Sequence, residues 1–456
     1  MSNPAPALTR SLTLRSVVLF GLAYMAPIIV LGTYGVVADS THGSVPTAYL
    51  LALGAMLFTA HSYGKMAAAH PVAGSSYTYV RRSIDSRIGF LVGWATLLDY
   101  FFLPMVIWLI GGAYLQAEFP SVPFWVWIIA FITVTTALNI RGIKTAERVN
   151  DLLMVFQVLV VGIFALLCLR HVFQHQGAQG LVSVTPFANH ATSFAGISAG
   201  AAIAAYSFLG FDAVTTLTEE TIEPQRTIPR AILLTALLGG GIFIVVAYAT
   251  QLAHPGYTFT DPSSAAFEIA KDIGGDLFSS LFLAGLIVAQ FASGIAAQAS
   301  TSRLLYAMGR DSVLPRKIFG RIHPKYHTPA LNILLAGAVG LIALRLNVAT
   351  STSFINFGAF TAFTFVNLSV IATYIRERRA GRRPALWSYV LLPAIGAVVD
   401  VWLLFHLDSK ALTLGLAWLA VGVCYLVFLT KGFRKAPPEM TFDEEAAPAA
   451  EPQSVR

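Results

Sequence analysis

Apolar residues run along this chain in long unbroken blocks and do not alternate with polar ones. Twelve blocks are of helical length: residues 14–38, 46–68, 88–117, 123–140, 149–169, 194–217, 230–252, 277–302, 329–348, 352–375, 386–407 and 411–430. Each is near or above the ~20 residues that cross ~30 Å of hydrocarbon at 1.5 Å per residue. Continuous runs exclude the alternating strands of a membrane barrel. The pattern therefore predicts an all-α polytopic membrane protein with twelve transmembrane helices. The first block is too long for the apolar core of a signal peptide and has no small-x-small cleavage site, so it is expected to stay as a helix. The predicted division is a cytoplasmic leader over 1–13, a membrane transport domain over 14–430 and a disordered cytoplasmic tail over 431–456, rich in Pro, Ala and Glu.

Two blocks carry interruptions at their centres. The first reads 21-GLAYMAPIIVLGTYGVV-37, where Pro27 removes a backbone donor and clashes with the preceding turn. The sixth is uncharged from Ser193 to Leu209 and then reads 206-YSFLGFDAVTTLTEET-221, with Gly210 and Asp212 at the break. An aspartate at a helix centre costs roughly 2.5–3.5 kcal/mol on insertion scales. Paired interruptions in the first and sixth spans fit two five-helix halves, with unwound backbone facing a substrate cavity.

Composition narrows the class. The chain has 456 residues, of which 56% are hydrophobic and only 12% charged, against about 25% charged in soluble domains. With the amino terminus inside, 26 of the 30 Lys and Arg fall on the cytoplasmic side, leaving Arg170, Lys271, Arg345 and Lys410 outside. That bias accounts for the net charge of +7 without a nucleic-acid partner. An even number of spans puts both termini in the cytoplasm. The basic loops at 303–328 and 376–384 face the headgroups of the lipid bilayer, through topology alone or a specific lipid site. Cys168 and Cys424 belong to no metal-like cluster and are assigned to packing.

The segment 71-PVAGSSYTYVRRSIDSRIGFLVGW-94 resembles the Pro-x-Ala-Gly-Gly-x-Tyr-x-Tyr…Gly-Phe-x-x-Gly-Trp signature of the amino acid–polyamine–organocation transporters. Further matches are 206-YSFLGFDAVTTLTEET-221 and 303-RLLYAMGRDSVLP-315, and the resemblance covers roughly residues 11–435. Within that family, 96-TLLDYFFLPM-105, 46-PTAYLLAL-53 and 353-SFINFGAFTAFTFVNLSV-370 look most like bacterial putrescine importers. The resemblance implies a 5+5 inverted-repeat core of the leucine-transporter type, two peripheral helices and alternating access. It also implies a substrate held between the broken first and sixth spans, with the third, eighth and tenth closing the sides. The location it implies is the bacterial inner membrane.

Three acids lie deep in spans, Asp99, Asp212 and Asp400, and no Lys or Arg does. A cavity near them would attract cations. A diamine needs only that, whereas an α-amino acid also needs its carboxylate bound. In amino-acid carriers of the family the first break is Gly-rich, so that N–H groups at a helix end bind the carboxylate. Here Ala26, Pro27 and Ile28 stand instead, with one N–H missing and a bulky side chain, which favours an amine. Asp212 recognises charge, or else caps the inner half of the sixth helix through N–H groups such as that of Thr215. Tyr206 is a cation–π partner for an ammonium or ordinary packing. Asp99 sits before Pro104, which should free a helix carbonyl, so the two together could accept one amine end; the alternative is an interhelical hydrogen bond. Gln290, Ser293 and Gln298 on the eighth span, with Phe354, Asn356 and Phe357 on the tenth, serve the second amine or glue helices. Glu219 and Glu220 would gate the cytoplasmic end by pairing with Arg81, Arg82 or Arg226, or are simply solvated. Asp400 is expected to be structural or peripheral.

The expected activity is import of a cationic amine, putrescine first, with an amino acid permease or an amine/amino acid exchanger as the alternative. No cofactor is implied. A coupling ion, H+ or Na+, is compatible; Gln157 stands where some proton-coupled relatives have a lysine. A dication entering a cell gains ~4.6 kcal/mol per 100 mV without one. An enzyme is disfavoured, because 196-GISAG-200 lies within a helix and His61 is alone deep in a span. No Walker A motif is present. A receptor would not need acids at broken helices. The pattern sets no oligomeric state.

Overall fold

Prolines, glycines and capping side chains decide where the apolar blocks start and stop. The computed structural model describes residues 10–71, 75–142, 147–218 and 220–439. In order these form α1 (Leu14–Met25), α2 (Ile29–Thr41), α3 (Val45–Ala69), α4 (Ser75–Ser83), α5 (Ser86–Glu118), α6 (Phe124–Ile140), α7 (Glu147–Gly180) and α8 (Phe194–Ala204). Then follow α9 (Pro224–Ala253), α10 (Ala265–Arg310), α11 (Arg316–Phe319), α12 (Ala330–Gly340), α13 (Val348–Arg379), α14 (Leu392–Phe405) and α15 (Ser409–Leu429). Asp85, Ser193 and Asn347 accept from the N–H groups of Arg87, Gly196 and Thr350 and so begin α5, α8 and α13. Among the described residues there is no strand beyond one isolated bridge, Leu12 to Thr221.

Among the described residues, nine helical segments are long and apolar enough to cross a membrane, or ten when the bent pair α1 and α2 counts as one span. Two shorter apolar helices, Phe124–Ile140 and Ala330–Leu344, fall where the fourth and ninth blocks were expected. The chain is a multi-pass membrane protein. Its large apolar side chains on the outside, such as Leu277 and Phe428, meet lipid and need no protein partner.

The expected interruptions occur. At the first, α1 ends at Met25, Ala26 takes a left-handed φ of 50°, and α2 leaves at 49° to α1. Proline cannot continue the hydrogen-bond ladder, and the strained alanine marks a fixed break. At the second, α8 tightens into a 3-10 turn over Ala205–Phe208, and Gly210 takes φ 108°. The chain resumes as another 3-10 turn over Ala213–Leu217.

The helices pack in two groups. In one, α1, α3 and α8 lie against α9 or each other, and α2 lies against α8; in the other, α5, α6, α10 and α12 pack together. α13 touches both, through α3 and α5, and α14 packs against α13 and α3. Burial separates centre from rim: 72% of the best apolar window of α13 is buried, against 28% in the segment containing α14 and 17% in α15.

Candidate substrate site at the two helix breaks

Gly210 brings the two breaks together. A Cβ there would lie 2.2 Å from Cδ1 of Tyr24, so only a glycine lets the Tyr24 ring, one turn before the first break, lie across the second. Tyr24 is thereby placed within electrostatic range of both Asp212 and Asp99. The two acids are also within electrostatic range of each other, and Tyr206, buried in the 3-10 turn after α8, is within range of Asp99. Asp212, Tyr206, Asp99 and Gly210 thus form one cluster beside the Ala26–Ile28 break. No Lys or Arg is among the groups acting on either acid. Asp99 and Asp212 are both half-buried, and Oδ1 of Asp99 is enclosed with no hydrogen-bond partner.

Asp212 differs from the capping alternative. Its side chain caps nothing: Thr215 donates from both N–H and hydroxyl to the Asp212 backbone carbonyl, at 2.9 and 2.7 Å. The carboxylate instead accepts from the backbone N–H groups of Asp212 and Gly210 and meets the Tyr63 hydroxyl and, at 3.5 Å, the Ser75 hydroxyl. Tyr63 belongs to an aromatic wall with Tyr79, Phe211 and Phe363, at ring distances of 5.8 to 6.1 Å. Tyr24, Tyr63, Ser75 and this wall were absent from the sequence-derived site. Ser75 and Tyr79 lie in the quoted signature and Phe211 and Phe363 in the other quoted motifs, but nothing local gave them to Asp212; Tyr24 and Tyr63 carry no signal of their own.

Several expectations change. Pro104 does free a carbonyl, that of Tyr100, but the Thr301 hydroxyl of α10 occupies it, so it does not join Asp99 as an amine acceptor. Gln298 is a fastener: it accepts from Asn139 at 2.9 Å and donates to Thr136 at 2.8 Å and to the Ile333 carbonyl at 3.1 Å. Asn356 donates to the Ala202 carbonyl at 2.7 Å, tying α13 to the last turn of α8, while its Oδ1 is enclosed and unpartnered. Phe354 meets Phe102 at 4.9 Å, and Phe357 lies over Gly415 of α15, away from the acids. Gln290 is buried against Gly111, and Ser293 is half-buried; no described contact joins either to the acids.

Of the two expected gating acids, Glu219 lies outside the described residues. Glu220 is held by its backbone, accepting from the N–H groups of Ser11 and Leu12 at 2.9 and 3.0 Å. Two of the three arginines expected to pair with it pair elsewhere, Arg81 with Glu439 at 3.6 Å and Arg226 with Glu223 at 3.5 Å. Asp400 lies on the rim helix α14 as expected, yet its side chain is fully buried.

The sequence profile of the amino acid permease family matches residues 16–433. The chain belongs to that family. The permease is 43% identical over 434 residues to the low-affinity putrescine importer PlaP of Escherichia coli K12, covering 95% of this chain and 96% of that protein. It is 24% identical over 452 residues to the methylthioribose transporter of Bacillus subtilis 168, covering 94% and 95%. It is 23% identical over 405 residues to the branched-chain amino acid permease BcaP of the same organism, covering 84% and 85%. The permease's relatives are transporters and not enzymes.

Proposed function

We propose that this permease imports a small cationic amine, putrescine first, across the bacterial cytoplasmic membrane by alternating access. The observation that carries it is the pairing of Asp99 and Asp212, set among tyrosines at two helix breaks with no basic side chain acting on either. A diamine brings two positive charges and no carboxylate, which matches that set. Aromatic faces add cation–π attraction worth up to about 2 kcal/mol per desolvated ammonium. The 43% identity to a putrescine importer supports the same substrate. Ala26, Pro27, Ile28 and Gly210 supply unwound backbone, and Asn356 holds the inner end of α8. Gln290 and Ser293, though no described contact joins them to the acids, are assigned to the α10 side of the site, and Glu219 with Glu220 to a gate at the cytoplasmic exit.

Counting Phe124–Ile140 and Ala330–Leu344 as spans brings the number to twelve, with both termini in the cytoplasm. Breaks at corresponding spans support a 5+5 inverted repeat inside a transport domain over 14–430, flanked by the leader 1–13 and the tail 431–456. The two packing groups are then the bodies that move against each other, with substrate contacts drawn from both. The membrane potential alone drives a dication inward, and H+ or Na+ adds to it if coupled.

An amino acid substrate is the second reading, favoured by the likeness to a branched-chain amino acid permease. Uptake of labelled putrescine into proteoliposomes under an inside-negative potential decides between them. Competition by unlabelled diamines and not by amino acids is expected. Uptake of an amino acid with no putrescine signal would overturn the amine reading while leaving the family intact.

A further inference from the structure

Asp400 sits on a helix whose outer face meets lipid: Val398 and Phe405 are each 68% exposed, whereas Asp400 is 0% exposed. It points inward to α3 and α13. The Thr59 hydroxyl of α3 donates to its Oδ2 at 2.8 Å, and the Asn367 side-chain amide of α13 donates to the same oxygen at 2.9 Å. The same amide lies 3.1 Å from Thr59 Oγ1, so three helices meet at one point. Gly396, one turn before Asp400, makes room. A Cβ there would be 2.8 Å from Oδ1 and 2.9 Å from Nδ2 of Asn367. The remaining oxygens of the pair, Oδ1 of Asp400 and Oδ1 of Asn367, are both enclosed and both without a partner.

That distribution is wrong for a carboxylate. Both donors address one oxygen, and the other is shut away beside an amide that has an unused acceptor. A buried charge needs a counter-charge or donors around it, and the surrounding elements offer no counter-charge. On α3, His61 Nε2 is engaged with the Ser388 carbonyl at 2.9 Å, and Lys65 lies over the Tyr389 ring at 4.6 Å. Tyr49 and Tyr63, also on α3, address Ser207 and Asp212. On α13 the titratable groups are Tyr374 and the charged run Arg376 to Arg379, beyond Asn367 toward the cytoplasmic end. α8 has none, and α14 has Asp400 alone. Only Thr59 and Asn367 act on the carboxyl. A bound metal cation fits poorly, because an O–H and an N–H already point their hydrogens at the carboxyl.

One proton resolves both orphans. It makes Asp400 Oδ1 a donor, and the Asn367 carbonyl oxygen is the acceptor left open for it. Acid and amide then pair through two hydrogen bonds, N–H to Oδ2 and O–H to the amide oxygen. We propose that Asp400 is a proton-binding site of this permease, holding a proton against Asn367 and clasping α13 and α14 to α3. α3 belongs to one packing group and α13 bridges to the other, so loss of that proton would leave an unsatisfied charge in the seam between them. This last consequence rests on the alternating-access reading; the proton site does not.

Infrared difference spectroscopy on the purified full-length protein tests the site without any substrate. At neutral pH the wild type should show the carbonyl band of a protonated, deuterium-exchangeable carboxyl that Asp400→Asn removes. The asparagine preserves both hydrogen bonds as an amide–amide pair, so the variant should fold and keep the wild-type Tm at neutral pH. At alkaline pH the wild-type Tm should fall as the proton leaves, and the variant's should fall less. An undiminished carboxyl band in the variant would overturn the proposal. So would a wild type without such a band at neutral pH, or one whose Tm rises with Na+ but not with K+; both are measured on the wild type and stand even if the variant fails to fold.

Discussion

Asp212 and Asp400 are both acids within apolar spans, and their surroundings differ in kind. Asp212 lies where the backbone has come apart, half-buried, opposite a second acid and lined by tyrosines. Asp400 lies on an intact helix, fully buried, with a Thr and an Asn from two neighbouring helices on one oxygen. The first arrangement is short of positive charge and open to a ligand that supplies it. The second is closed and uses polar groups to fasten helices. On the proposed reading, an acid in a membrane span points to a substrate site when the helix around it is broken and no basic side chain acts on it.

The sharpest way to break the comparison is to neutralise each acid in turn. Asp212→Asn should abolish putrescine uptake while the protein stays folded and inserted. Asp400→Asn should leave a folded protein that still takes up putrescine. Equal loss in both would erase the distinction. A smaller effect is expected from Gly210→Ala, which places a methyl against Tyr24 and forces alanine to φ 108°. Strain of about 1–3 kcal/mol should lower Tm and slow uptake together. The smallest concerns Thr301→Val, which uncovers the Tyr100 carbonyl. A cost of about 1 kcal/mol in stability with unchanged putrescine affinity is expected; altered affinity would return that carbonyl to the site.

The breaks were legible because residue type carries their geometry. Pro27 cannot continue a helix, and Gly210 admits a left-handed φ beside Asp212. The long apolar blocks were legible because lipid demands them; among the described residues nine, or ten with the bent pair, are long enough to span, while α6 and α12 fall short. What was not legible depends on tertiary placement. Nothing local says that Asp99 and Asp212 come within electrostatic range of each other, or that Tyr24 crosses Gly210, in a chain where 12% of residues are aromatic. The carbonyl freed by Pro104 was visible, but its capture by Thr301, about two hundred positions on, was not. The burial of Asp400 was hidden by its lipid-facing neighbours. The spacing of Gly396 and Asp400, one turn apart on one stripe, was the available sign that this face of α14 turns inward.

The central claim is that two carboxylates at the breaks recognise two positive charges. Equilibrium binding of putrescine and of n-butylamine, the monoamine with the same carbon chain, to purified wild type, Asp99→Asn and Asp212→Asn tests it most directly. Truncating one side of a desolvated charge pair costs 2–5 kcal/mol or more, so putrescine should bind the wild type at least ~30-fold more tightly than the monoamine, at 1.4 kcal/mol per decade. Each variant should lose most of that preference. Undiminished preference for the diamine in both variants would contradict the account.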